Sequence, residues 1–257
     1  MSEVPPAPAA TILLVRDESE LQVLMVRRHH QIDFASGALV FPGGRAHAGD
    51  AEPAWRERLS PPSAFSDPLC ALKIAALREA YEESGVLLAR RSDGAPFAGD
   101  ERADAAREAI AADRRTFLGL ISELDLVLEL DDLAVFARWI TPAMMPKRFD
   151  TWFFLAQAPA GQLARCDGSE TVDAEWIAPA EAIRLADAGE RKVIFPTRMN
   201  LKLLGEAKDC ADALERARAR RLVTVEPRLT DGPNGRILVI PSDAGYGEAS
   251  ELLSRAV

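Results

Sequence analysis

Apolar positions along the chain follow two patterns: short runs fit for strands and longer stretches with helical spacing. TILLV (11–15) and LQVLMV (21–26) flank the polar turn RDESE, and they predict two strands. ALVF (38–41) predicts a third, stopped by Pro-Gly-Gly at 42–44. LCALKIAALREAYEES (69–84) behaves differently: Ile74, Leu77 and Tyr81 recur at i, i+3 and i+7, which predicts a helix closed by Gly85. VLLA (86–89) then reads as a strand, and 101–124 as two helices. From Arg45 to Pro68 the mixture of Pro, Ala, Ser and charge predicts an irregular segment with a short helix near Trp55–Leu59. ELDLVLELDD (123–132) supports no assignment.

Further strands are expected at LAVFARWI (133–140), FDTWFFLAQ (149–157) and VDAEWIA (172–178). PAEAIRLADAG (179–189) is a short helix with Pro179 near its first turn, and 196–221 gives one or two more. The turn DGPNG (231–235) between VTVEPRL and RILVIP predicts a late hairpin. Strands and helices intermix throughout, which favours an α/β layered fold.

The last turn of the 69–84 helix raises a question of charge. Glu79, Glu82 and Glu83 crowd the end just before Gly85. The negative end of the helix dipole opposes each by roughly 0.3–1 kcal/mol. Like charges three and four apart cost about 0.2–0.5 kcal/mol per pair. Arginines, free solvation or a bound cation could offset this. Arg78 stands four residues before Glu82 and can pair with it. Three carboxylates in one turn suit Mg²⁺ or Mn²⁺, which take hard oxygen donors. Spacing alone does not choose between that ion and a solvated acidic face.

The stretch VFPGG (40–44) enlarges the pattern. Gly44, Arg78, Glu79, Glu82, Glu83, Gly85 and Val86 together resemble the Nudix hydrolase signature G-x5-E-x7-R-E-U-x-E-E-x-G-U, U being bulky and apolar. Three departures stand out. Asp50 occupies the place of the first Glu, with Glu52 as a nearby substitute. Twenty extra residues separate that place from Arg78, and Ala80 fills a U position. A box split in this way, with VLMVRRHH before it and RWITP (138–142) and RFDTWFF (148–154) after it, resembles the branch containing the peroxisomal coenzyme A diphosphatases and their bacterial relatives. The likeness runs over roughly residues 10–205; Arg148 and Asp150 carry part of it, with no role implied.

The resemblance implies a Nudix α/β/α sandwich with a mixed central sheet, an insertion inside the box and a C-terminal helix-hairpin extension. It divides the chain into a disordered lead-in (1–10), a catalytic domain (11–205, insertion about 51–70) and an extension (206–257). It implies Mg²⁺- or Mn²⁺-dependent hydrolysis of a nucleoside diphosphate linked to another moiety. Coenzyme A or acyl-coenzyme A is the first expectation, giving 3′,5′-ADP and a phosphopantetheine. ADP-ribose or a nucleotide sugar is the alternative, and a non-catalytic nucleotide-sensing module is a third reading. In this scheme Glu79, Glu82 and Glu83 bind metal, and Arg78 orients Glu82. Gly43 and Gly44 shape the loop, and Glu170, six before Trp176, is a candidate general base. Arg27, Arg28 and Arg45 are candidates for phosphate oxygens, and His29, His30 and His47 for weaker contacts. Trp139, Trp152 and Trp176 are expected in the core, and Trp55 is a remote candidate for base stacking.

Whole-chain properties bound the rest. With 257 residues, 48% of them hydrophobic, the chain can bury a large core. A net charge of −9 argues against nucleic acid or acidic membrane as a general partner. Cys70, Cys166 and Cys210 are widely spaced and read as thiols of a reducing compartment. No apolar run approaches the roughly 20 residues of a membrane span. MSEVPPAPAA lacks a secretory pattern, and SRAV is not a peroxisomal SKL-type address. Cytoplasmic residence is the resulting expectation. A homodimer is an expectation from the resemblance alone.

Overall fold

The structure, a computed structural model, describes residues 4–29, 36–112, 116–166, 168, 171–233, 235–247 and 249–253. In chain order, β1 is Ala7–Asp17, β2 Leu21–Arg28, β3 Leu39–Val40, β4 Gly43–Arg45 and α1 Cys70–Ser84. β5 (Arg90–Arg91), α2 (Glu101–Ala111), α3 (Phe117–Glu123), β6 (Leu126–Val127), β7 (Ala134–Ile140), β8 (Phe149–Gln157) and β9 (Thr171–Ile177) follow. The last part holds α4 (Pro179–Asp187), α5 (Phe195–Leu204), α6 (Cys210–Ala219), β10 (Thr224–Val225), β11 (Arg228–Gly232), β12 (Gly235–Val239) and β13 (Ser250–Leu252).

β1 organises the main sheet. It pairs in parallel with β8 from Ala7–Phe149 to Val15–Gln157. Its other edge is shared: β4 pairs antiparallel with residues 9–11, and β2 with residues 15–17. β7 lies antiparallel on β8, and β10 parallel on β7. The sheet is therefore mixed, as expected. Side chains alternate along each strand. Ile12 and Leu14 enter one core with α1, α2 and α3, while Leu13 and Val15 enter another with α5 and α6. All four are fully buried, so the centre of the sheet is covered on both faces.

Several expectations need correction. Residues 7–10 are not a disordered lead-in: they open β1, and the Ala7 N–H donates to the Arg148 carbonyl at 2.9 Å. VLLA forms no strand. Val86 and Leu87 are buried, and the Leu87 N–H and C=O bond the Gln162 side chain, which takes the place of a neighbouring strand. The box insertion is not one short helix but three 3₁₀ turns, at 48–51, 53–58 and 62–66. Trp55 is 1% exposed, bonds the Gly49 carbonyl and lies against Phe117, so it anchors this loop in the core and offers no face to a base.

The extension is built into the same layers. Cys210, Ala213 and Ala217 of α6 pack into the second core with Val225, Leu238 and Ile240. The late hairpin forms as β11–β12, and β13 adds a third strand to it. Arg148 is buried and ties three segments together: it donates to the carbonyls of Val4 and Thr141 and to Glu226. Asp150 pairs with Arg138 through two hydrogen bonds across β7 and β8.

Candidate active site

Gly85 takes φ +73° and closes α1, with its N–H on the Tyr81 carbonyl. Each of the next three orphan carbonyls finds a donor from outside the helix. Arg107 Nε donates to Glu82 O at 2.8 Å, Thr171 Oγ1 to Glu83 O at 3.1 Å, and the Arg165 N–H to Ser84 O at 2.8 Å. Arg107 also places a cation at the negative end of the dipole. These contacts explain how a turn carrying three carboxylates holds.

The carboxylates themselves are arranged around Arg78, which is 5% exposed. Nε and NH2 donate to the two oxygens of Asp50 at 2.9 and 3.0 Å. NH2 also donates to Arg45 O, and NH1 to Glu79 Oε1 at 2.9 Å and Glu82 Oε1 at 3.2 Å. All five guanidinium N–H groups thus have an acceptor. Burial alone would lower the Arg78 pKa; the Asp50 hydrogen bonds and the charges of Glu79, Asp50 and Glu82 more than reverse this and raise it. Asp50 is 2% exposed and also accepts the His47 N–H, whereas Glu52 is exposed and outside this network. The residue in the place of the first box Glu is therefore Asp50, acting as the partner that fixes Arg78.

The two glycines fit α1 to the sheet. A Cβ on Gly44 would stand 2.6 Å from the Glu79 carboxylate, and one on Gly43 would meet Thr11 and Ala10 at 2.5–2.7 Å. No other residue type fits at either position without displacement. The Gly43 N–H donates to Glu83 Oε2 at 3.0 Å, and Arg28 NH1 lies 3.9 Å from Glu83 Oε1. Arg28 Nε is buried with no hydrogen-bond partner among the described residues.

A cavity of about 460 Å³ opens beside this cluster. Glu79, Glu82, Arg28, Gly43, Gly44, Arg45 and His47 line one end. Its floor is the sheet face carrying Ala9, Thr11, Thr151 and Phe153, opposite the face on which α1 packs. The α1 carboxylates reach it at β4, where two successive glycines leave the sheet without side chains. Burial raises the Glu82 carboxyl, and the charge and hydrogen bond of Arg78 offset this only in part.

The expected site residues divide accordingly. Arg78, Glu79, Glu82, Gly43, Gly44, Arg28 and Arg45 gather at one end of the cavity, together with His47. Arg27 does not line it and lies 3.8 Å from Asp173. Glu170 and His30 lie outside the described residues, and His29 is not among the cavity-lining ones. Among the described residues no three acidic, His or Cys side chains converge tightly enough to hold an ion. Arg78 draws Glu79 and Glu82 to itself, while Glu83 turns to Gly43 and Arg28. The donor chemistry still fits a hard divalent cation at Glu79 and Glu82: both carboxylates line the cavity, and the desolvation of the half-buried Glu82 is only partly offset by Arg78.

Trp139, expected only as core, is also a cavity wall. It is 4% exposed, lines the trough, and donates its indole N–H to the Tyr246 hydroxyl at 3.1 Å. Trp152 and Trp176 are half-buried under Arg138 and Arg16.

Comparison with known proteins bears on what this arrangement is. The NUDT19 Nudix domain family matches residues 63–201. The chain is 27% identical to the acyl-coenzyme A diphosphatase NUDT19 of Homo sapiens over 277 aligned residues, 90% of this chain and 74% of that one. The Gallus gallus protein of the same name is 25% identical, over 89% of this chain and 74% of that one. A crystal structure of a NUDIX hydrolase from Alicyclobacillus acidocaldarius superimposes with a TM-score of 0.70 at 30% identity, covering 83% of this chain and 97% of that one. The split box, the Arg78 hub and these likenesses agree: the chain belongs to the Nudix hydrolase family, in the group defined by the NUDT19 Nudix domain.

Proposed function

We propose that this protein hydrolyses the diphosphate bond of coenzyme A or acyl-coenzyme A, giving 3′,5′-ADP and a phosphopantetheine or its acyl thioester. The observation that carries this reading is one continuous cavity. It joins an acidic and arginine-bearing end, fit for a diphosphate, to a long apolar trough, fit for a bulky second moiety. The diphosphatase names of the similar vertebrate proteins support the same choice.

The chemistry requires water to attack one phosphorus while the anhydride P–O bond breaks and a phosphate ester leaves. Glu79 and Glu82 would hold Mg²⁺ or Mn²⁺ at the mouth of the trough. When bound, such a cation supplies neutralisation of the diphosphate charge. Arg28 and Arg45 meet phosphate oxygens, a role that the guanidinium fork suits. Arg78 touches no substrate: with its planar group fixed by Asp50, it keeps the Glu79 and Glu82 carboxylates aimed at the cavity. Glu83 fastens the glycine pair of β4 to α1, so that the phosphate-facing backbone does not shift.

A panel of purified diphosphate compounds with Mg²⁺ tests the reading. Coenzyme A species should be turned over in a metal-dependent manner. In heavy-oxygen water the label should enter one of the two phosphate products only. Negligible turnover of every coenzyme A species beside strong hydrolysis of ADP-ribose would overturn it.

A further inference from the structure

The trough running away from the acidic end has a length and a lining of its own. Arg45 on β4 pairs with Ala9 on β1, Ala9 with Thr151 on β8, and Thr151 with Trp139 on β7. Directly paired residues point to one face, so these four form a row across the sheet. Three strand spacings of about 4.8 Å make the row roughly 14 Å long. Its far end is closed by Ile140, Met145 and Phe149, and by Pro227, Leu238 and Leu253 of the extension. The basic side chains among the lining residues, Arg28, Arg45 and His47, all lie at the near end beside Glu79 and Glu82. Between the ends the floor offers the hydroxyls of Thr11 and Thr151.

Within the coenzyme A reading, and resting on it, we infer that the trough seats the pantetheine arm, with the thioester at the Trp139 end. The first acyl carbons then lie against Met145, Phe149 and Leu253, so the C-terminal extension sets acyl preference. The arm runs about twelve bonds from its phosphate oxygen to sulfur; three extended chain bonds span about 3.3–3.6 Å, which gives roughly 13–14 Å. That length matches the row. The two amides of the arm pass the threonine hydroxyls, and its dimethyl carbon meets apolar floor. The adenosine 3′-phosphate is left at the near end, where the arginines are. The far end, apolar and lined by no cation among the described residues, suits an alkyl chain and not a phosphorylated nucleoside.

The test is kcat/KM for coenzyme A and its acetyl, butanoyl and octanoyl thioesters, measured on the wild type and on Met145→Asp and Leu253→Asp. Both side chains are half-buried, and thermal melts establish that each variant is folded. In the wild type, kcat/KM should rise by up to roughly fourfold for each methylene that becomes buried, until the far end is full. The octanoyl-to-free ratio should reach at least tenfold, and either aspartate should bring it close to one. A wild-type ratio near one overturns the inference and leaves the coenzyme A reading standing. So does a ratio that survives both variants, or an equal loss on free and acylated substrate, the sign of a nucleoside in the trough. Failure to hydrolyse any coenzyme A species removes both.

Discussion

The two ends of the cavity are held by opposite means. At the near end, charge is fixed by charge: Arg78 spans Asp50, Glu79 and Glu82 with every N–H donor used. At the far end, shape is fixed by packing: Trp139 stands edge-on to Phe195 and Tyr246, at 6.0 and 5.5 Å, under the extension. A polar thread runs from the Trp139 N–H to Tyr246 Oη and on to Asn200 Oδ1. Removing one member of the first arrangement strands a buried charge. Removing one member of the second strands neutral groups or leaves a void. Buried charges are far costlier to leave unpaired than neutral polar groups. The near end should therefore be the more brittle of the two.

The sharpest way to break the comparison is Asp50→Ala. Asp50 supplies the acceptor for Arg78 Nε and one of the two for NH2, and both residues are buried. Truncating one partner of such a pair costs roughly 3–5 kcal/mol. Denaturant melts should show a loss of that size, with activity falling as Glu79 and Glu82 lose their fixed partner. A loss below about 1 kcal/mol would mean that water or another acid replaces Asp50, and the hub is not what holds this end.

Glu82→Gln comes next, and it separates charge from shape. The amide keeps the size of the side chain and can still accept from Arg78 NH1. Folding should therefore change little, while kcat falls on the order of 10²–10³-fold, the scale of losing one charge-stabilising group. Unchanged Mg²⁺-dependent turnover would remove Glu82 from the chemistry.

How much of each end could be read from the residues follows from the same contrast. Arg78, Glu79, Glu82 and Glu83 sit within one helical turn, and two glycines precede them, so local spacing carried most of the near end. The role of Asp50 is not legible in the sequence because 27 residues separate it from Arg78, and only the folded box loop brings them together. That Glu83 turns away from the cavity while Glu79 and Glu82 line it was not legible for a related reason: spacing says which face a side chain leaves, not that Arg78 and Gly43 will claim it first. The far end joins residues of β1, β7, β8, α5 and the extension, and no short motif spans them. Trp139 was legible as core, not as the wall of a trough. VLLA forms no strand, and the sequence does not show this because four apolar residues suit a strand and a buried coil alike. The main strands and helices, with their strong periodicity, were legible throughout.

Tyr246→Phe probes the far end on the same scale. The hydroxyl accepts from Trp139 Nε1 and donates to Asn200 Oδ1 at 2.6 Å. Its loss leaves a buried N–H and a buried carbonyl oxygen unpaired, at about 1–3 kcal/mol. At roughly 2–4 °C per kcal/mol for a chain of this length, the melting temperature should fall by a few degrees. A fall as large as that of Asp50→Ala would reverse the ranking of the two ends.

The smallest effect is a pH dependence of metal stabilisation, and its sign is set by Glu82. Burial raises this carboxyl above its ordinary value, with Arg78 opposing. A raised carboxyl binds its proton more readily in the folded than in the unfolded state. Its contribution to stability is therefore full at acid pH and is lost as pH rises through the folded value. As an anion the half-buried Glu82 is under-compensated, and a divalent cation relieves that cost; once Glu82 is protonated there is little to relieve. Mg²⁺ at ten times its dissociation constant adds about 1.4 kcal/mol, or about 3–6 °C of melting temperature. Thermal melts with and without Mg²⁺ should show that increment at pH 7.5, shrinking as pH falls toward 5, and Glu82→Gln should lose most of it at both. An increment that grows on acidification would place the ion on groups other than Glu82, and the near end would owe its stability to the arginine alone.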